Sequence, residues 1–170
     1  MTTSRRYEDV SVGDELDARV IGPLTTAHLM RWSATSENWH KIHYDMPFAV
    51  NHDKLPALLI NGSLKQQFMT SYLKDWAGPQ GWSWKVRYQF RAMNQVGETL
   101  TLWARVTDKQ RGPDFGLITL ELGIRNEAGI ESTPGSATVA LPYRDGKPVP
   151  YPFIPPADLG ENQRSTTTLR

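Results

Sequence analysis

Cysteine is absent from this 170-residue chain. That removes disulfides, thiolate metal ligands and a cysteine nucleophile from consideration. Long apolar runs are missing too: none approaches the roughly 18 residues that a membrane span requires. Neither sign of charge dominates. Nineteen lysines and arginines face 18 aspartates and glutamates, for a net charge of +1, which leaves no electrostatic footprint for nucleic acid. The opening "MTTSRRYEDVSVGDEL" carries two arginines but no apolar core of a secretory signal. No repeat of fixed period and no Gly/Ser linker divides the chain. What remains is ordinary globular composition, 39% hydrophobic and 22% charged. The expectation is one soluble, cytoplasmic domain, long enough to bury roughly 70% of its unfolded surface.

The elements run from helix-rich to strand-rich. A strand is expected at "LDARVI", and Thr25 or Thr26 can cap a helix from Ala27 to about Ser36. In "LLINGSLKQQFMTSYLKDWAGP", Leu64, Phe68, Met69, Tyr72, Leu73 and Trp76 recur at helical spacing. This predicts a helix over about 63–77, closed by Gly78 and Pro79. Beyond Gly81 the period changes from 3.6 to 2. Trp82, Trp84, Val86, Tyr88, Phe90 and Ala92 alternate with polar residues, as do Leu100, Leu102, Ala104 and Val106, and then Ile118, Leu120, Leu122 and Ile124. "SATVAL" ends the series. The turn-rich stretches between these strands predict an antiparallel meander, with strands 82–92 and 99–107 as neighbours. A sheet with one apolar face needs a cover, and the helix supplies it. The fold class is α+β, an antiparallel sheet wrapped around a central helix. The domain is expected over 1–142. Residues 143–170, with the run from Pro142 holding six of the twelve prolines, read as an extended tail that frays at "ENQRSTTTLR" and wraps over a neighbouring chain.

One stretch concentrates chemistry. "NWHKIHYDMPFA" (38–49) holds two of the four histidines, His40 and His43, with Asn38 and Asp45. Three readings compete for it. The histidines could satisfy backbone groups in a loop. His40, His43 and Asp45, with His52 as a conceivable fourth ligand, could bind a metal. The spacing argues against this, since metal-hydrolase histidines stand four apart on a helix. Third, a histidine near its unperturbed pKa of about 6.5 is matched to moving a proton at neutral pH, and a neighbouring amide or carboxylate can orient water or the ring. The third reading needs a group to stabilise developing negative charge. Gly62, at the start of the long helix, offers free backbone N–H groups and room for a carbonyl to approach. Gly62 could equally be an ordinary helix-start glycine beside the cap candidates Asn61 and Ser63.

These segments resemble the MaoC-like hydratases and dehydratases, single hot-dog domains acting on acyl thioesters. "YEDVSVGDEL", "SATSENWHKIHYDMPFA" and "LPALLINGSL" carry the resemblance, which runs over about 7–142 and is most specific at 33–49. The common family motif reads D-x-N-P-L-H. Aligned on its histidine, His43 keeps its place, Asn38 stands at the aspartate, His40 at the asparagine and Lys41 at the proline. The segment more closely resembles a branch reading N-x-H-R-I-H-Y-D, which includes mesaconyl-CoA hydratases and mitochondrial-type 3-hydroxyacyl-thioester dehydratases. There Asn38, His40, His43 and Asp45 all match.

The resemblance implies reversible addition of water across a 2-enoyl thioester, without cofactor or metal. It casts His43 as base, Asn38 as holder of the water and the Gly62 N–H as donor to the thioester oxygen. His40 or Asp45 would supply the α-proton or fix geometry. It also implies an acyl-CoA or acyl carrier protein substrate and an oligomer, either a homodimer or a pairing with a second chain. Two rivals stand beside it: a non-catalytic subunit of a heteromeric hydratase, kept open by Asn38, and a hot-dog thioesterase. The latter usually needs a carboxylate at the central helix, where Ser63, Leu64 and Lys65 follow Gly62 here. The six tryptophans are read as core before acyl pocket. Lys85, Arg87 and Arg91 are read as a solvated strand face before a site for CoA phosphates. His28 has no role in this reading.

Overall fold

A computed structural model describes residues 5–156. The chain opens with a helical turn at Tyr7–Asp9 and a short strand β1 (Arg19–Ile21), narrower than "LDARVI" suggested. Helix α1 (Thr26–Thr35) begins where expected. Thr25 is its extended N-cap, and the Thr25 N–H donates to His28 Nδ1 at 3.1 Å. That gives His28 a capping role, satisfying one of the polar groups a helix end exposes.

Helix α2 (Gly62–Ala77) is the central helix. Leu64, Met69, Tyr72 and Leu73 are buried, while Phe68 and Trp76 are half-buried against the same core. Gly78, at φ +73°, ends it with its N–H donating to Lys74 O at 3.1 Å, and Pro79 follows. Only a residue free of Cβ strain takes that conformation readily.

Four further strands wrap this helix: β2 (Trp82–Tyr88), β3 (Leu100–Arg111), β4 (Phe115–Arg125) and β5 (Gly135–Pro142). In the β3–β4 hairpin Leu102 faces Ile124, Ala104 faces Leu122 and Val106 faces Leu120. All six are buried, as the alternation demanded. Helix α2 contacts β2, β3 and β5, and its buried face joins theirs in one core.

The expected meander fails at one place. The sheet order is β1-β3-β4-β5-β2, so β2 pairs with β5 and not with β3. The reason is the crossing at 89–99, which passes the start of α2 instead of turning back. The Ile60 N–H donates to Asn94 O at 2.8 Å, Val96 N–H to Leu58 O at 2.9 Å and Gly97 N–H to Leu24 O at 2.7 Å. These bonds hold the crossing against the segments that lead into α1 and α2, and it then enters β3.

As an edge strand, β2 has no fully buried residue; Trp82 is exposed, and so is Phe90 just beyond it. The apolar face expected over 82–92 is therefore half open. None of the six tryptophans is fully buried; Trp32 and Trp76 pack half-buried against the main core and Trp84 against Phe115 and Leu117, while Trp39 and Trp82 are exposed, so the core reading holds only in part. Lys85 lies over the Trp84 ring at 3.8 Å, while Arg87 and Arg91 are exposed.

Past Pro142 the chain turns back onto its own sheet. The Val149 N–H donates to Gln80 O at 2.9 Å, and Phe153 packs among Trp82, Trp84 and Phe115. The stretch "ENQRSTTTLR", expected to fray, lies outside the described residues. Among the described residues no helix is long and apolar enough to cross a membrane.

Candidate active site

His43 ends a short 3-10 turn (Lys41–His43) and is buried. The turn is tied to the segment leading into α2, because the Leu59 N–H donates to Ile42 O at 3.0 Å. The His43 ring then returns the contact: its Nδ1 lies 2.8 Å from Leu59 O. A carbonyl oxygen only accepts, so Nδ1 carries the hydrogen, and the neutral ring keeps Nε2 as a free base. Burial lowers the His43 pKa from its ordinary value. The bond to Leu59 opposes that shift, and nearby His40 adds to it. The ring is thus held neutral, in one tautomer, at neutral pH.

The same segment, Leu58–Ile60, is clamped on its other side by the crossing at 94–96. A pocket of about 200 Å³ opens between the two, lined by His43, Ile60, Gly62, Lys65, Phe90 and Met93 among others. It therefore joins the histidine turn to the first turn of α2. Among the described residues the Gly62 N–H pairs with no acceptor, as expected of a first-turn amide. A Cβ on Gly62 would meet the Phe90 ring at 3.0 Å, so this glycine marks a close approach. Two bonds brace α1 against the start of α2: Trp32 Nε1 donates to Ser63 Oγ at 2.8 Å, and Asn61 Nδ2 donates to Ser33 Oγ at 3.3 Å. A larger cavity of about 440 Å³, bordered by Pro23, His28, Trp32, Leu64 and Phe68, contains neither His43 nor Gly62. Size alone would have pointed there; the chemistry points to the smaller one.

The other residues singled out by the motif do not line this pocket. His40 is exposed, its ring centroid 6.2 Å from that of His43. Asn38 is half-buried, and its Oδ1 accepts a long 3.4 Å bond from the His40 N–H. Asp45 is occupied locally: its Oδ1 accepts the Phe48 N–H at 3.0 Å, capping the helical turn Phe48–His52. His52 pairs with Asp53 at 2.7 Å and stacks on Phe48 at 4.5 Å. Among the described residues no three His, Asp or Glu gather to hold a metal ion.

Lys65 and Asn94 escaped the sequence reading. Lys65 is 3% exposed, and its Nζ donates to Asn94 Oδ1 at 3.0 Å and to Ala92 O at 3.4 Å. The signal was present. Positions 65, 69, 72 and 76 continue one helical stripe, so a lysine there stands in an otherwise apolar row.

The wider likeness agrees with this architecture. A solved (R)-hydratase from A. caviae involved in PHA biosynthesis is 23% identical, at TM-score 0.70, over 79% of this chain and 99% of its own. A chain of the ChsH1-ChsH2 complex from Mycobacterium tuberculosis is 18% identical, at TM-score 0.67, over 77% and 98%. RV0216 from the same organism, which has a double hot-dog fold, is 18% identical at TM-score 0.69; it aligns over 94% of this chain but 51% of its own. At such identities the likeness establishes the hot-dog fold. No curated protein matches the sequence. Residues 8–98, just over half of the chain, match the family described as hydroxyacyl-thioester dehydratase type 2. They include the histidine turn, Gly62 and the crossing at 94–96, and the chain belongs to that family of hydro-lyases, which interconvert 3-hydroxyacyl and 2-enoyl thioesters.

Proposed function

We propose that His43 is the base of this hydration–dehydration and that the substrate is a CoA thioester bound at the pocket beside Gly62. One observation carries the reading. The bond from His43 Nδ1–H to Leu59 O leaves Nε2 unprotonated in a pocket that also receives the start of α2. In the hydration direction, Nε2 takes a proton from water as the oxygen bonds to the β-carbon. The electron pair of the double bond moves toward the thioester oxygen, which the Gly62 N–H receives. A proton then adds at the α-carbon. A positioned donor of this kind is worth ~10²–10³ in rate. Asn38 holds the water. Asp45 keeps the histidine loop in shape through its cap at Phe48. His40 is left as the deliverer of the α-proton, its ring 6.2 Å from that of His43.

The working unit is an oligomer. The pocket mouth carries Phe90 and Met93, 51% and 65% exposed, and β2 forms an open sheet edge. Both features favour a second hot-dog unit as cover, either another copy or a partner chain. A pairing of two units in one chain exists in the double hot-dog RV0216. The thioesterase reading loses support, because among the described residues no carboxylate lines the pocket.

The purified protein should hydrate 2-enoyl-CoA esters, followed by loss of the conjugated-thioester absorbance. His43→Ala should lower turnover by ~10²–10⁴. Full activity in His43→Ala ends the assignment. A parent protein inactive on every enoyl-CoA ester, yet essential when mixed with a partner chain, moves it to the heteromeric-subunit reading.

A further inference from the structure

Lys65 is a buried cation that the steps above do not use. It lies on α2 three residues after Gly62 and lines the same pocket as His43. Two of its three N–H donors go to neutral oxygens, Asn94 Oδ1 and Ala92 O. Among the described residues it forms no ion pair. Glu98, the acid whose charge acts on it, is already bonded through Asn94 Nδ2 at 2.8 Å and the Gln95 N–H at 3.0 Å. An ammonium kept from water without a direct counter-charge costs stability. A fold carries that cost at functional sites, where an anion arrives during the reaction.

We propose that Lys65 is a further catalytic residue, its ammonium group sharing with the Gly62 N–H the negative charge that develops on the thioester oxygen. The inference rests on the hydratase reading. Lys65 keeps its proton throughout: the water proton goes to His43, the new C–O bond forms at the β-carbon, and the enolate pair returns as the α-carbon is protonated. The lysine supplies field alone. A fixed cation that is itself shielded from water, as Lys65 is, stabilises such charge far more than one in solvent. The enolate oxygen is preferred over a carboxylate on the acyl group because the reaction itself produces that charge on every substrate.

The charged form must be present for this to work. Burial lowers the Lys65 pKa to about 8, with Glu98 opposing the shift. The titratable groups around it are Glu98, behind Asn94, and His43, across the pocket; the Phe90 ring 5.0 Å away carries no charge. Turnover should therefore decline as pH rises through about 8, where His43, already neutral, changes no state.

The test measures kcat and KM against pH, on a straight-chain enoyl-CoA and on one bearing a free carboxylate (the ester of a dicarboxylic acid), for the parent, Lys65→Gln, Lys65→Arg and His43→Ala. Gln can still donate to Asn94 and Ala92 but has no charge. The expected result is a Lys65→Gln protein with near-parental melting temperature, kcat about 10²-fold lower on both substrates and KM within a few-fold. Lys65→Arg should keep more turnover and lose the alkaline decline. Parental kcat in Lys65→Gln overturns the inference, as does a loss confined to KM for the dicarboxylic substrate. Should Lys65→Gln not fold, an alkaline decline that persists in Lys65→Arg overturns it equally. If His43→Ala is inactive while Lys65→Gln is unimpaired, this inference alone fails; if His43→Ala is unimpaired, the underlying reading fails.

Discussion

The imidazole of His43 donates its Nδ1 hydrogen to the carbonyl oxygen of Leu59 across 2.8 Å, linking positions 16 residues apart. One bond thereby fixes both the tautomer and the direction of the lone pair on Nε2. It also ties the histidine turn to the strand-like segment that delivers Gly62 to the same pocket.

That environment sets a pH dependence. Burial holds the folded-state pKa of His43 below its ordinary value of 6.5. The base should therefore stay active as pH falls, and kcat/KM should decline only below the usual histidine range. Stability carries the same sign. Between the unfolded and folded pKa values the unfolded chain binds the extra proton, so the contribution is full above about 6.5 and is lost as pH falls through the folded pKa. Melting temperature measured from pH 7.5 to 5 should fall in the parent and fall less in His43→Gln. An identical slope in both would remove His43 as the cause.

Gly62 makes a steric prediction. Its missing side chain faces the Phe90 ring, which a Cβ would meet at 3.0 Å. Phe90 is half exposed and can swing away, so Gly62→Ala should fold with a small loss of melting temperature. Gly62→Val should fold too, yet obstruct approach to the backbone N–H and lower turnover by ~10²-fold, the value of one such donor. Gly62→Val with parental melting temperature and parental turnover would take this amide out of the site.

Asp45 separates a cap from an acid. Its carboxylate accepts the Phe48 N–H at 3.0 Å, a contact whose loss usually costs about 0.5–2 kcal/mol. Asp45→Ala should lower the melting temperature. Asp45→Asn keeps an accepting oxygen and should preserve both stability and most turnover. A 10²-fold loss of turnover in a stable Asp45→Asn protein would instead make Asp45 a proton donor.

Periodicity made the helix and two strands legible, because α2, β3 and β4 each present one continuous face to a single core. Leu102, Ala104 and Val106 are buried as their alternation required. Alternation assigns faces but not neighbours, and the pairing of β2 depended on where the chain goes between Gln89 and Thr99. The bonds that settle it reach Leu24, Leu58 and Ile60, far away in sequence and carried by backbone groups that every residue shares. The site divides the same way. His43 stood out through residue type and local clustering. Lys65 and Asn94 meet only because the crossing brings 94 beside 65, and a lysine on a helix reads by default as solvated.

Asn38 tests what the departure from the common motif means. If Asn38 holds water while His43 does the proton transfer, Asn38→Ala leaves the base intact and should cost less turnover than His43→Ala on the same enoyl-CoA ester. Its present contact, a 3.4 Å bond from the His40 N–H to Oδ1, is weak enough to yield to a better donor such as water. Asn38→Asp installs the carboxylate of the common motif in the segment that carries both histidines. A new anion there would raise the pKa of His43, opposing the lowering that burial produces. The acid limb of kcat/KM should then move to higher pH in Asn38→Asp while staying in place in Asn38→Ala. Matching limbs in all three proteins would mean that position 38 does not face the catalytic ring. An Asn38→Ala loss as deep as that of His43→Ala would make the amide part of the proton-transfer apparatus rather than a holder of water.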